Sequence, residues 1–262
     1  MGGLTNPAPP RISVVIPAYN EAARIGPPLA TVAAWLDRKG WQAEILVVDD
    51  GSRDRTVAVA EEFARQAPVQ VRVLRNGLNR GKGYSVKYGV LEARGEFILV
   101  SDADFSTPIE DLPRLLAPIE ARDVDLTIGS RDLPGSRVEV RQVWWREAMG
   151  RTFNFILRTL AGLRYRDTQC GFKVLRREAA LPLFRAARVE RFAWDVEILH
   201  LAALAGLRVR EMPVRWRNSA DSRVHPVRDS ALMLRDTLRI LWWTRRGRYG
   251  TIGRPPTRAD AA

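Results

Sequence analysis

Two carboxylates stand two residues apart in Ser101-Asp102-Ala103-Asp104, directly after the apolar run Phe97–Val100. At a strand exit such a pair can converge on one hard divalent cation, Mg2+ or Mn2+, which takes oxygen ligands and keeps positions open for a substrate diphosphate. A cation held there neutralises a diphosphate leaving group as its bond breaks. A D-x-D alone occurs in many loops, so its meaning rests on its surroundings. Asp49-Asp50 follow a second apolar run, Glu44–Val48, and can hydrogen-bond a nucleobase and a ribose. The turn Pro17-Ala18-Tyr19-Asn20-Glu21 would sit beside them, and Arg80-Gly81-Lys82-Gly83 would bring Lys82 near phosphate. This last segment is not a P-loop: three residues lie between Gly77 and Gly81 where four are needed, and Gly83 stands where Ser or Thr belongs. No G-x-G-x-x-G follows the first apolar run, which removes the dinucleotide fingerprint.

The elements that must carry these residues alternate through the first half. Strands are expected at Ile12–Ile16, Glu44–Val48, Val69–Leu74, Phe97–Val100 and Asp125–Ile128, the last running into Gly129-Ser130-Arg131. Helices are expected from Glu21 to Lys39, from Asp54 to about Gln66 and from Gly81 to Arg94. Continuous apolar strands alternating with amphipathic helices define an α/β domain, its mostly parallel central sheet flanked by helices. In such sheets ligands bind beyond the carboxyl ends of the strands, and four of these ends carry polar groups able to hold one. Turn chemistry supplies some Asp, Asn and Gly at strand ends, but does not account for a carboxylate pair in two separate places. The second half reads as a helix over Trp144–Ala161, a strand-like Val174-Leu175, a helix over Ala193–Ala205, a strand over Arg208–Arg217 and a basic helix over Val227–Trp243.

The chain has 262 residues, 46% of them hydrophobic and 27% charged, enough for one large core. Residues 1–10 and 250–262 read as loose tails, and MGGLTNPAPPR lacks the pattern of a secretory signal. The longest apolar candidate, Ala231–Trp243, is broken by Arg235, Asp236 and Arg239, so no membrane span is expected. The single cysteine, Cys170, reads as a small packed residue rather than a nucleophile, and only two histidines argue against a zinc site. Net charge is +12, and thirteen arginines against four carboxylates fall between Leu207 and Arg258. Either this is an arginine-rich composition, since only four lysines occur, or it faces an anionic partner. No helix-turn-helix pattern, cysteine knuckle or aromatic stacking motif accompanies the charge, so nucleic acid is not the expected partner. The helix of residues 227–249 combines leucines, Trp242-Trp243 and arginines. It fits either a membrane interface or a face packed on the domain with its basic side in water.

P-A-Y-N-E at 17–21, V-D-D-G-S at 48–52, N-R-G-K-G at 79–83, S-D-A-D at 101–104 and G-S-R at 129–131 resemble, in order and spacing, glycosyltransferase family 2 of the GT-A fold. D-T-Q-C-G-F-K at 167–173, W-D-V-E-I-L at 194–199 and S-R-V at 222–224 look like its polyprenyl- and dolichyl-phosphate glucosyltransferase and mannosyltransferase branch. Together they cover about residues 11–243. The resemblance implies a single GT-A domain over 11–226, with a nucleotide-binding half to about 131 and an acceptor half beyond it. The amphipathic helix 227–249 follows as a C-terminal extension. It implies that Pro17, Tyr19, Glu21 and Asp49 hold the nucleoside and that Asp102 and Asp104 take Mg2+ or Mn2+, Asp102 also lying near the ribose. Arg131 and Arg146 would grip an acceptor phosphate, while Lys82, Arg217 and Arg223 attend the donor phosphates. The branch usually has lysine where Arg223 stands, and arginine brings the same charge with another geometry. Membrane helices found in some members have no counterpart here.

The reaction so implied is an inverting displacement from a nucleotide sugar, UDP-glucose first and GDP-mannose next, onto a polyprenyl-type lipid phosphate. It would run on the cytoplasmic face of a membrane. A phosphate monoester has its second pKa near 6, so it attacks without a strong base and calls for arginines. A hydroxyl acceptor on a glycolipid or polysaccharide would instead need a base. Asp195 and Glu197 are the candidates, each open to reading as base, arginine partner or helix-surface charge.

Overall fold

A computed structural model describes residues 9–140, 152, 154–217 and 226–252. A seven-stranded sheet runs in the order β3-β2-β1-β4-β7-β5-β8. Its members are β1 (Ile12–Ala18), β2 (Ala43–Asp49), β3 (Gln70–Arg75), β4 (Phe97–Val100), β5 (Leu126–Ser130), β7 (Lys173–Arg176) and β8 (Val209–Pro213). Period-two geometry sends successive side chains to opposite faces. Ile12, Val14 and Ile16 of β1 join one core with Leu29 and Leu36 of α1 (Gly26–Arg38), Ala60 of α2 (Thr56–Gln66) and Leu116 of α4 (Leu112–Glu120). Val15 joins the other, with Val86 and Val90 of α3 (Lys82–Glu92), Leu183 of α6 (Arg177–Ala186) and Val196 of α7 (Trp194–Leu204). Both faces being covered, the strands are continuous apolar runs, as the sequence shows.

β1 pairs in parallel with β2 on one side and β4 on the other. The chain therefore winds outward from β1 through β2 and β3, then returns across β1 to β4. The carboxyl ends of β1 and β4 flank the crevice where the winding reverses, the ligand-binding position of such sheets.

Several expectations are corrected. The first helix begins at Gly26 rather than Glu21, because Glu21–Ile25 form a turn and Pro27 and Pro28 occupy the first helical positions. β7 lies where a strand-like end is expected, but runs antiparallel between β4 and β5. The strand expected over Arg208–Arg217 is two. Pro213, lacking an N–H, ends the β8 ladder, and β9 (Arg215–Arg217) leaves for a two-stranded parallel sheet with β6 (Arg137–Val140). Helices α4 and α6 escape the periodicity reading; each has an internal proline, Pro118 and Pro182. Of the helix expected over 144–161, residues 154–160 are seen as α5, and Trp144 and Trp145 lie outside the described residues.

Helix α8 (Pro226–Arg245) lies on the domain. Ile240 and Trp243 enter the core beside α7, and His200 of α7 contacts Thr244 Oγ1 at 2.9 Å and the Ala161 carbonyl at 3.3 Å. No helix among the described residues is long and apolar enough to cross a membrane. Where α3 crosses the sheet, a Cβ on Gly89 would overlap Val15 Cγ1 and approach Val48 Cγ2 to 2.8 Å. We expect Gly89→Ala to lose about 1–3 kcal/mol by overpacking, read as a lower denaturant midpoint with unchanged slope.

Candidate active site

A cleft of about 810 Å³ opens at the carboxyl edge of the sheet. Two interlaced turns make its floor. The Asn20 amide donates to Ser52 Oγ at 2.8 Å, and the Arg53 amide donates to Asn20 Oδ1 at 2.7 Å, with Asn20 at a φ of 53°. The Glu21 amide donates to Thr56 Oγ1 at 2.7 Å. These bonds tie the β1 exit to the β2 exit, so Pro17, Tyr19 and Glu21 all line the cleft. The Glu21 carboxylate accepts from Arg24 Nη2 at 2.8 Å.

The Asp49-Asp50 pair divides its labour. Asp49 is 4% exposed, accepts from the amides of Gly51 and Ser52 at 3.2 Å, and is not among the cleft-lining residues. Asp50 lines the cleft and accepts from Asn76 Nδ2, the Arg80 amide and the Gly81 amide, each at 2.9 Å. It thereby fixes the turn that delivers Lys82. Gly81 holds a φ of 112°, and a Cβ there would come within 2.5 Å of the Glu190 carbonyl, so the turn requires glycine.

Lys82 starts α3 and meets Asp102 Oδ1 at 2.5 Å. Burial alone would raise the Asp102 carboxyl; Lys82, with lesser help from Lys173 and Arg131, more than offsets it and holds the group below its ordinary value. Burial likewise opposes the Lys82 ammonium, and Asp102 and then Asp195 raise it in spite of that. Asp102 packs so closely on Gly171 that a Cβ there would come within 2.7 Å of Oδ1 and overlap the rest of the carboxylate. Asp104 Oδ1 accepts the Ser106 amide at 3.0 Å, with Phe105 between them at a φ of 44°. Among the described residues no group of three or more His, Cys, Asp or Glu side chains forms a metal cage. Two carboxylates with a diphosphate filling the remaining positions is the hard-oxygen donor set that suits Mg2+ or Mn2+, so Asp102 and Asp104 fit such an ion.

Arg131, at the end of β5, enters the same cleft. Asp167 holds it in a fork, Nε to Oδ2 at 2.7 Å and Nη2 to Oδ1 at 2.9 Å, and the guanidinium lies 5.5 Å from the Trp216 ring centroid. Among the described residues no hydrogen bond to Nη1 is seen. Burial disfavours both charges, yet Asp167 raises Arg131 and Arg131 lowers Asp167. Asp195 lines the cleft but is 4% exposed and bonded to Lys173 Nζ, which also donates to the Cys170 carbonyl at 2.6 Å. Burial still raises the Asp195 carboxyl despite Lys173. Its partner is therefore a lysine, and it is no helix-surface charge. Glu197 is fully buried, accepting from the Arg188 and Val189 amides and Tyr249 Oη, and does not line the cleft. Cys170 is buried and its thiol pushed up to about 11, by burial first and then Asp167, which removes it as a nucleophile.

Arg217 stands apart. Its amide reaches the Ser106 carbonyl at 2.8 Å, but its side chain is 70% exposed and bonds Glu139 at 2.7 Å. Arg146 and Arg223 lie outside the described residues. The sequence reading gave no role to Asp167, Lys173, Asp50 as a loop anchor, Arg191, Arg228 or Met233, all of them at or beneath the cleft. Asp167 and Lys173 stand inside a motif noticed as a whole, and their pairing across the fold is what a linear pattern hides.

A parallel-sheet crevice with a carboxylate pair, a lysine and an arginine fork at its edge is built to hold a nucleoside diphosphate and a second anionic group. The sequence profile described as Glycosyl transferase family 2 matches residues 13–184. The dolichyl-phosphate beta-glucosyltransferase of Dictyostelium discoideum is 35% identical over 239 residues, covering 87% of this chain and 73% of that protein. The Drosophila melanogaster protein of the same name is 39% identical over 247 residues, 89% of this chain and 74% of its own. The glucosyl-3-phosphoglycerate synthase of Mycobacterium tuberculosis shares the fold at a TM-score of 0.62 and 19% identity, covering 94% of this chain and 82% of that one. Its complex with Mn2+, UDP and phosphoglyceric acid superposes at 0.59 with 20% identity, covering 92% and 79%. The chain belongs to glycosyl transferase family 2.

The Arg131–Asp167 fork carries a test in stability. Because the Asp167 carboxyl is held low in the folded protein, its contribution is present above the ordinary carboxyl pKa of about 4 and lost as pH falls through the folded value. Asp167→Asn should cost about 1–3 kcal/mol at neutral pH. In thermal melts its deficit against wild type should shrink as the pH is lowered below about 4.

Proposed function

We propose that the protein transfers glucose, with inversion, from UDP-glucose to the phosphate of a polyprenyl-type lipid. The observation that carries this reading is the meeting of Lys82, Asp102 and Asp104 with the Arg131 fork in one cleft, while the nearby acid Asp195 is occupied by Lys173. Relatives named dolichyl-phosphate beta-glucosyltransferase support the sugar and the acceptor class. The structural neighbour solved with Mn2+ and UDP supports a divalent ion and a uridine donor.

Pro17, Tyr19 and Glu21 wall the nucleoside end of the cleft, and Asp49 shapes the turn beneath it. Lys82 lies where the donor diphosphate would end. Asp102 and Asp104 hold the cation, which when bound neutralises the charge gathering on the leaving diphosphate. Arg131 orients the acceptor phosphate through its Nη1 donors, while Asp167 keeps the guanidinium plane fixed. On the family resemblance Arg146 is assigned beside it and Arg223 to the donor phosphates, whereas Arg217, paired with Glu139 outside the cleft, would have to turn inward to join them. A phosphate with a second pKa of about 6 is mostly dianionic at neutral pH. It needs placement rather than deprotonation, and fixing both reactants replaces a bimolecular encounter. A hydroxyl acceptor would require a free base, and a buried, lysine-bonded Asp195 is poorly placed for that.

A lipid acceptor also puts the protein on a membrane surface, and we assign it to an anionic cytoplasmic leaflet. Leu238 is 51% and Trp242 44% exposed on α8, with Arg248 and Arg246 at 4.7 and 5.8 Å from the Trp242 ring. Such a tryptophan-arginine surface suits an interface.

The reaction is tested by nucleoside diphosphate release from UDP- and GDP-sugars, with and without a short polyprenyl phosphate. Release should need UDP-glucose, a divalent ion and the lipid, and fall by roughly a hundredfold or more in Asp104→Ala. Equal release without lipid would move the acceptor to a hydroxyl, and a GDP-mannose requirement would change the sugar. For the membrane, the protein should float with phosphatidylglycerol vesicles, and Trp242→Ala should float less. No flotation of the wild type would sink the attachment.

A further inference from the structure

A second cavity, of about 590 Å³, lies behind the active-site cleft between α3, residues 187–191 and α8. Arg80, Arg191 and Asp236 line both cavities and form the partition between them. Among the described residues its lining holds five cationic side chains, Arg80, Lys87, Arg188, Arg191 and Arg239, against the carboxylates Glu190 and Asp236.

The carboxylates are already shared out. Glu190 takes Arg80 at 2.5 Å. Asp236, 4% exposed, faces three arginines: Arg235 at 3.1 Å, and Arg191 and Arg239 at 3.5 Å each. Among the described residues, Lys87 and Arg188 hydrogen-bond backbone carbonyls rather than an acid. Lys87 Nζ donates to Ala187 O at 2.6 Å and to Arg185 O at 3.4 Å, and Arg188 Nη2 donates to Arg248 O at 2.7 Å. Trp243 forms an apolar back wall, with Arg239 at 4.9 Å and Arg188 at 6.0 Å from its ring. Surplus positive charge in a concave, partly apolar setting focuses the field and draws in an anion. Burial holds the Lys87 ammonium below the ordinary lysine value, against the pull of Glu197 and Glu190, with a smaller push downward from Arg188.

We infer that this cavity is a second anion site that takes a phosphate group, with Lys87, Arg188 and Arg239 as its ligands. Arginine donors in a fork and a lysine point charge are the usual chemistry of phosphate recognition. The cavity is separate from the place assigned to donor and acceptor, and its use needs neither. It borders α8, whose outward face carries Leu238 and Trp242. The phosphate can therefore belong to a lipid headgroup or to a small soluble molecule, and the test separates the two.

The full chain, free of donor and metal, is titrated calorimetrically with inorganic phosphate. In a parallel arm it is mixed with vesicles of phosphatidylglycerol, phosphatidylcholine vesicles serving as the control. Three proteins are compared: wild type, Arg188→Gln/Arg239→Gln, and Arg131→Gln. Both substituted pocket arginines have exposed side chains, and thermal melts check that the double variant is folded. Phosphate binding that weakens roughly tenfold or more in the double variant, and persists in Arg131→Gln, establishes the site with a soluble phosphate as ligand. Binding to phosphatidylglycerol vesicles alone, weakened to the same degree in the double variant, establishes it with a lipid headgroup. No binding in either arm overturns the inference, as does binding equal in wild type and the double variant, or binding lost with Arg131. Because neither donor nor lipid phosphate acceptor is present, a failure here leaves the transfer reading standing, and a failure of transfer leaves this site standing.

Discussion

Parallel pairing of β1 with β2 on one side and β4 on the other is the constraint on which the site depends. It forces these strands to end at the same edge, so three turns that are far apart in sequence face one another. The turns are then locked by side-chain to backbone bonds rather than by further sheet. Asn20 and Ser52 cross-link two of them, and Asp50 organises the Arg80–Gly81 turn. A backbone N–H or C=O left unpaired at this edge would be costly, and short polar side chains answer that need while leaving the cleft open. β7 completes the arrangement. By returning antiparallel between β4 and β5 it brings Gly171 against Asp102 and Lys173 beneath it.

The cleft is an alternation of charges. Lys82 faces Asp102, Lys173 faces Asp195, and Arg131 faces Asp167. In each pair burial disfavours the charged carboxylate. Asp102 and Asp167 are held ionised by their partners, whereas Asp195 is not fully compensated. A desolvated ion pair stands only when its geometry and extra hydrogen bonds are good. The Arg131 fork, with its backbone amide also on Asp167 at 3.1 Å, meets that condition. Lys82 and Asp102 are different in kind: their side chains are 23% and 40% exposed, so the pair can open toward an arriving diphosphate and cation.

Much of this was legible in the sequence for one reason: apolar strands buried on both faces leave an unmistakable run, and each run ended in a polar group at the ligand edge. The five strands expected in the first half are present, and Asp102, Asp104, Lys82, Glu21 and Arg131 share one cleft. What the sequence hid had specific causes. Prolines inside α4 and α6 mimic breaks. Val214 sits between two short strands that read as one. β7 is the short run Lys173-Val174-Leu175-Arg176, and nothing local tells a strand which way its neighbours run. Pairing across the fold was equally invisible: the partner of Asp195 is Lys173, and that of Arg217 is Glu139. The basic helix fitted either a membrane interface or a packed face from sequence; Ile240 and Trp243 in the core show that one side of it packs on the domain.

α8 joins two demands that compete for its residues. Its inner side must pack on α7 and wall the cleft, which uses Met233, Asp236, Ile240 and Trp243. Its outer side retains Leu238, Trp242 and a set of arginines that no carboxylate fully neutralises. That outer side is the surface proposed above to meet an anionic membrane. Asp236 holds the two sides together: one buried carboxylate, shared by Arg191, Arg235 and Arg239, joins the wall of the cleft to the charged outer face.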